Sequence, residues 1–144
     1  MLKILVIEDH THIRQILLKM LEVENFEAMG AENGLVGVEL ARKYKPDLII
    51  CDILMPKLDG YGVLAELQQD PDTATIPFIF LSALAERKDF RKGMELGADD
   101  YLTKPCTANE LLSAIASRLE KQAKYTQQEQ TAPKFPPLSD TPEA

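Results

Sequence analysis

Leu48, Ile49, Ile50 and Cys51 run without a polar break into a single carboxylate, Asp52, and Pro56 closes the stretch. A strand buried on both faces reads as a near-continuous apolar run, and proline cannot donate to a sheet ladder, so a strand ends close to Asp52. That places a carboxylate at the carboxyl end of a buried strand. In open α/β sheets this edge is where ligands bind, which makes Asp52 the first candidate for function.

The rest of the chain repeats the pattern. Ile4 to Ile7 is a β-branched run that ends at Glu8 and Asp9, and Ile13, Ile16, Leu17, Met20 and Leu21 then recur at helical spacing. Residues 25–30 alternate weakly and precede Asn33 and Gly34, which predicts a short second strand. Gly37, Leu40, Ala41 and Tyr44 share a helical face that stops before Pro46. After the central strand, Asp59 and Gly60 are turn chemistry, and Tyr61, Leu64 and Leu67 resume the helical period. Residues 77–82 form a fourth apolar run ending in Ser82, and a helix follows from Glu86 to Leu96, stopped at Gly97. Tyr101, Leu102 and Thr103 make the fifth strand, which ends at Lys104 and Pro105. Thr107 and Glu110 have capping-box spacing for a last helix whose apolar face is Leu111, Leu112, Ile115 and Leu119.

Five strands alternating with five helices predict an α/β fold with a doubly wound five-stranded parallel sheet. Each parallel crossover needs a long connection, which a helix fills. The flavodoxin-like order 2-1-3-4-5 is the leading choice for right-handed crossovers. The chain has 144 residues, enough for one core. The expected domain covers residues 1–120. Residues 121–144 turn to Gln, Thr, Pro and Lys without periodicity, and predict a disordered tail. The three lysines there balance Glu129, Asp140 and Glu143, so the net charge of −7 belongs to residues 1–120. Acidity of this size argues against a surface built for nucleic acid or anionic lipid, and suits cations or a basic partner. No apolar run is long enough for a signal sequence or a membrane span, so the expected setting is cytoplasmic, without membrane insertion. Cys51 and Cys106 have no close pairing and no metal-ligand spacing, and read as reduced, buried small hydrophobes.

The 2-1-3-4-5 order sets the switch point between the first and third strands. It gathers Glu8, Asp9, Asp52, Ser82 and Lys104, all from strand ends, into one crevice. Three crowded carboxylates repel and call for a cation, and an oxygen-only donor set selects a hard one, Mg²⁺. Zinc finds no ligand of its own type there, because His10 and His12 read as solvated first-turn residues without metal-ligand company. Lys104 adds a fixed positive charge and Ser82 a hydroxyl, so the group that suits the crevice is an anion with several oxygens, such as a phosphoryl group.

These residues resemble the receiver domain of response regulators in two-component signal transduction, of the single-domain, chemotaxis-regulator-like kind. Glu8 and Asp9, Asp52 with Met55, Pro56, Asp59 and Gly60 behind it, Ser82, and Tyr101 with Lys104 and Pro105 carry the resemblance over roughly residues 2 to 120. It implies that Asp52 is the phosphoacceptor, taking a phosphoryl group from a sensor histidine kinase or phosphotransfer protein. It also implies that Mg²⁺ is held by Asp9, Asp52 and the backbone carbonyl of Leu54, with Glu8 acting through water. Lys104 and Mg²⁺ would neutralise the phosphoryl oxygens, so the domain catalyses its own phosphorylation without being an enzyme in the usual sense, and slowly reverses it. Ser82 and Tyr101 would be the switch pair, acting on a face made by the fourth helix, fifth strand and fifth helix, and Lys104–Pro105 a structural cis bond. The expected partner is a downstream protein, with no direct nucleic acid because only about two dozen residues follow Glu120; phosphorylation-dependent dimerisation stays open. Leu54, a bulky apolar residue beside the acceptor, predicts a lengthened phosphoryl lifetime.

Simpler readings exist for each residue. Asp9 could be a helix N-cap, Asp59, Asp99 and Asp100 are turn or capping residues, and Arg87, Lys88, Arg91 and Lys92 suit a solvated helix face. Among whole functions, a flavin-binding protein of this fold lacks its phosphate loop here, since acids follow the first strand. A Mg²⁺-dependent phosphohydrolase lacks a second acid at Leu54. A receiver-like interaction module that is never phosphorylated is the remaining alternative.

Overall fold

The computed structural model describes residues 1–131, with side chains described to residue 123. Ten elements alternate: β1 (Lys3–Ile7), α1 (Thr11–Val23), β2 (Glu27–Ala31), α2 (Gly34–Tyr44), β3 (Leu48–Cys51), α3 (Gly60–Gln68), β4 (Phe78–Ser82), α4 (Arg87–Glu95), β5 (Asp100–Thr103) and α5 (Ala108–Thr131). The strands pair in parallel in the order β2-β1-β3-β4-β5, the flavodoxin-like order expected from the sequence.

Strand side chains alternate between faces, and the two cores follow that alternation. Leu5, Ile7, Ile49, Cys51, Phe78 and Phe80 point to one side, where Val38 and Ala41 of α2 and Val63, Leu64 and Leu67 of α3 cover them. Ile4, Val6, Leu48, Ile50, Ile79 and Leu81 point to the other, against Leu17 and Leu21 of α1 and Leu111 and Ile115 of α5. Each Val, Leu, Ile or Phe side chain among them that is withdrawn from water contributes about 1.5–3 kcal/mol, so β1, β3 and β4 are the anchored centre of the sheet. α4 differs, because Gly93 is its one buried residue and it presents Phe90 and Met94 to solvent. It is the helix that can shift at least cost.

The helix ends follow local chemistry. Asn33 caps α2 by accepting from Val36 N at 2.9 Å, and Asp59 caps α3 by accepting from Gly62 N at 2.8 Å. Thr107 and Glu110 exchange side-chain and backbone hydrogen bonds at 3.0 and 2.8 Å, the predicted capping box. Gly97 takes φ 107°, which stops α4 and favours glycine.

Two expectations need correction. The last helix does not end near Glu120 but continues to Thr131. Residues 121–131 hold no Gly or Pro and are rich in Lys, Gln and Glu, good helix formers that propagate a helix already nucleated even without an apolar face. The remainder of the expected disordered tail, 132–144, lies outside the described residues. Cys51 is buried as expected, whereas Cys106 is only partly buried.

One glycine ties the fold to the strand ends. Gly60 opens α3 and donates its N–H to Ile53 O at 2.8 Å, and a Cβ there would be driven into the backbone carbonyl of Asp52. At Gly62 the nearest atoms belong to the end of the Leu58 side chain, which can move. Gly60→Ala is expected to lower unfolding free energy by about 1–3 kcal/mol in urea titrations, and Gly62→Ala by distinctly less.

Candidate functional site

The register of the sheet builds the crevice. Ile7 is paired with Cys51, so the next residues, Glu8 and Asp52, leave adjacent strands side by side, and Asp52 N donates to Ile7 O at 3.0 Å. Ser82 is paired with Thr103, and Lys104 N donates to Ser82 O at 2.8 Å. All the strand-end residues predicted from the sequence therefore reach one edge. Lys104–Pro105 is cis.

Lys104 is the electrostatic centre. Its Nζ lies 2.6 Å from Glu8 Oε1 and 3.0 Å from Asp52 Oδ2, with Glu8 and Asp52 almost completely buried. Burial alone would pull the ammonium pKa down, but hydrogen bonds and charge from Glu8 and Asp52 outweigh it and raise the pKa above its ordinary value. The other oxygens are held by backbone: Asp52 Oδ1 accepts from Ile53 N at 2.7 Å, and Glu8 Oε2 accepts from His10 N at 3.1 Å. Arg14, not foreseen from the sequence, donates to Glu8 O at 2.7 Å and steadies the turn between β1 and α1.

Asp9 is the exception. Its Oδ1 is buried and has no hydrogen-bond partner among the described residues. It does not cap α1, since the N-cap position is His10, which makes no side-chain cap bond. The ammonium thus pairs with two carboxylates, and the third, on Asp9, holds a buried acceptor without a hydrogen-bond donor among the described residues. Such an atom costs free energy unless something positive meets it, and oxygen donors of this kind fit a hard divalent cation.

His10 is solvated, as expected, but it does not lack company of metal-ligand type. Its ring is largely exposed, yet Nδ1 lies 3.3 Å from Glu8 Oε2 and 3.5 Å from Asp9 Oδ1. Glu8, Asp9 and His10 offer donor atoms that all lie within 4.8 Å of one another. The turn after β1 folds the ring back over both acids, a placement that periodicity does not reveal. His12 joins no such group among the described residues.

Ser82 and Tyr101 are linked through the loop after β4. Ser82 is fully buried and its Oγ accepts from Leu84 N at 3.2 Å, while Tyr101 OH donates to Leu84 O at 2.7 Å. Tyr101 is turned inward, against Phe80 and Phe90. Burial, only partly opposed by Ser82, pushes its phenol pKa up to about 12. On α4, Lys92 sits 4.2 Å from the centroid of the Tyr61 ring, a cation–π contact, and Lys88 pairs with Glu86 at 3.5 Å. Leu54 is 58% exposed beside the acceptor.

Two outcomes follow from these contacts. Lys104→Met leaves Glu8 and Asp52 buried without their counter-charge, and unfolding free energy at neutral pH should drop by about 3–5 kcal/mol. For Tyr101, an ordinary phenol pKa near 10 in the unfolded chain and about 12 in the fold mean that the unfolded state ionises first. Its contribution is complete below pH 10 and is lost between pH 10 and 12. Stability of Tyr101→Phe, measured by urea unfolding, should fall less steeply across that window than that of the wild type.

Comparison with known proteins is consistent with this geometry. The family described as response regulator receiver domain matches residues 4–116. The probable transcriptional regulator ycf27 of Porphyra purpurea is 44% identical over 124 residues, covering 86% of this chain and 50% of that protein. The DNA-binding dual master transcriptional regulator RpaA of Synechocystis is 38% identical over 119 residues, covering 83% and 49%. The chain spans about half the length of these relatives. The crystal structure of a response regulator receiver domain protein from Clostridium thermocellum superposes with a TM-score of 0.80 at 30% identity, covering 87% of this chain and 99% of that one. Among the described residues, no helix is long and apolar enough to cross a membrane.

Proposed function

The chain belongs to the response regulator receiver domain family, and from that membership we propose that Asp52 accepts a phosphoryl group from a phosphohistidine of a sensor kinase or phosphotransfer protein. The observation that carries the proposal is the buried Asp52 carboxylate at the end of β3 with the Lys104 ammonium 3.0 Å from its Oδ2. In the transfer an Asp52 oxygen attacks phosphorus, the P–N bond breaks, and its electron pair returns to the donor imidazole. Asp52 becomes an acyl phosphate.

Both Asp52 oxygens are engaged before the reaction, so acceptance requires an exchange of partners. Lys104 leaves Oδ2 and turns to a phosphoryl oxygen, while Glu8 Oε1 keeps hold of the same ammonium and aims it. Asp9, Asp52 and the Leu54 carbonyl, with Glu8 through water, would hold Mg²⁺, which would supply charge neutralisation on the phosphoryl oxygens. The unpartnered Asp9 Oδ1 supports that donor set.

The same exchange reaches the loop after β4. Ser82 Oγ now accepts from Leu84 N; when its hydroxyl turns to donate to the phosphoryl group, Leu84 loses that anchor, and Leu84 O is the acceptor for Tyr101. Ser82 and Tyr101 thereby couple the acceptor to the face of α4, β5 and α5, where α4 is the least buried helix. Charge chemistry at Asp52 biases an element poised to move. The named relatives are transcriptional regulators of about twice the length, which favours a transcriptional output over the stand-alone protein contact expected from the sequence.

Incubation of the chain with a small phosphodonor, with and without Mg²⁺, should give a one-phosphoryl mass increase that needs Mg²⁺ and is absent in Asp52→Asn. An equal adduct on the variant, or none on the wild type, contradicts the proposal. The exposed Leu54 crowds the approach of water, so Leu54→Asn should shorten the lifetime of the phosphorylated form; an unchanged decay rate excludes that role.

A further inference from the structure

Lys104 and backbone N–H groups fix the carboxylates of Glu8 and Asp52, but none of those contacts aims Asp9. Its direction follows from the backbone on either side of it. A peptide unit is planar, so the Glu8 carbonyl and the Asp9 N–H turn as one body, and whatever holds Glu8 O limits where the Asp9 side chain can point. Arg14 Nη1 donates to Glu8 O at 2.7 Å, a charge-assisted bond. Arg14 N also donates to His10 O at 2.9 Å. One residue thereby grips the chain before and after Asp9.

The sheet makes room for that grip. Gly30 of β2 lies beside Val6 of β1, and a Cβ on it would stand 3.0 Å from Arg14 Cδ and 3.2 Å from Arg14 Cγ. Glycine inside a strand weakens it and marks a close approach. Gly30 has no positive φ, so space rather than backbone conformation calls for it. The Arg14 stem packs over this gap and its guanidinium reaches the carboxyl end of β1. It ends on a carbonyl and not on a carboxylate, so its task is aim rather than neutralisation.

We propose that Arg14 is a positioning residue of the crevice: by holding the Glu8 carbonyl it points Asp9 at the place a divalent cation would take, and so sets how tightly that cation binds. The guanidinium is not itself a ligand and acts through the Glu8–Asp9 peptide. The identity of the ion rests on the Mg²⁺ reading above, while the role of Arg14 rests on its contacts with Glu8, His10 and Gly30.

The test is calorimetric titration of the full chain with Mg²⁺ in wild type, Arg14→Ala, Arg14→Lys and Lys19→Ala. Lysine keeps the charge at position 14 but is one atom too short for the same reach, and Lys19→Ala removes a charge from an exposed position of the same helix. The expected result is a Mg²⁺ dissociation constant raised about tenfold or more in both Arg14 variants and unchanged in Lys19→Ala. In phosphorylation by a small phosphodonor, read by mass, Arg14→Ala should need correspondingly more Mg²⁺ for half-maximal rate and match the wild type at saturation. Wild-type Mg²⁺ affinity in Arg14→Ala, full recovery in Arg14→Lys or an equal loss in Lys19→Ala overturns the inference. So does a lower saturating rate with unchanged Mg²⁺ demand, which a merely structural role would give. Equal Mg²⁺ affinity in wild type and Arg14→Ala, with a Mg²⁺-dependent adduct on the wild type, defeats the Arg14 inference alone. Mg²⁺ binding that depends on Arg14, with no adduct on the wild type, defeats the phosphoacceptor reading alone.

Discussion

A single ammonium between two buried carboxylates is the interaction on which the crevice depends. Lys104 leaves the end of β5 and reaches Glu8 after β1 and Asp52 after β3, bridging residues 96 and 52 positions away. Removing three charged groups from water is costly, and mutual attraction offsets that cost only when the geometry is held rigidly. The rigidity comes from the sheet, whose central strands are buried on both faces and place the three residues to within hydrogen-bonding distance. Core packing and charge placement are therefore one design, in which Ile4 to Ile7 and Leu48 to Cys51 fix where Glu8 and Asp52 begin.

Lys104 pairs with two of the three acids of the crevice. Lys104 satisfies one oxygen of Glu8 and one of Asp52, and backbone N–H groups satisfy the second oxygen of each. Asp9 Oδ1 receives no hydrogen bond among the described residues. A crevice tuned for stability alone would not keep three acids against one ammonium, and local excess charge of this kind is a usual cost of function.

Much of this was readable in the sequence because strand ends obey strong rules. A buried parallel strand has to be apolar throughout, so the first polar residue after each run marks the functional edge. Glu8, Asp52 and Ser82 were located that way, Lys104 from the end of the short fifth strand before Pro105, and the 2-1-3-4-5 order followed from the alternation of elements. What was not readable depended on side-chain direction. His10 looked like one more polar residue at a helix start, and only the turn between β1 and α1 swings its ring over Glu8 and Asp9. The inward Tyr101, bonded to Leu84, and Lys92 over Tyr61 are contacts between elements whose spacing carries no sequence signal. The extension of α5 to Thr131 was missed for a different reason: the apolar face ends near Leu119, but helix propensity does not.

The uncompensated charge at Asp9 is the claim on which the account turns, and its most direct measurement is the unfolding free energy of wild type and Asp9→Asn, each without divalent ions and in saturating Mg²⁺. Neutralising Asp9 relieves repulsion among the acids and, on the proposed Mg²⁺ reading, removes a ligand. The variant should be the more stable protein without Mg²⁺, and Mg²⁺ should stabilise the wild type far more than the variant. A variant less stable than the wild type without Mg²⁺, or an equal gain from Mg²⁺ in both, would contradict it.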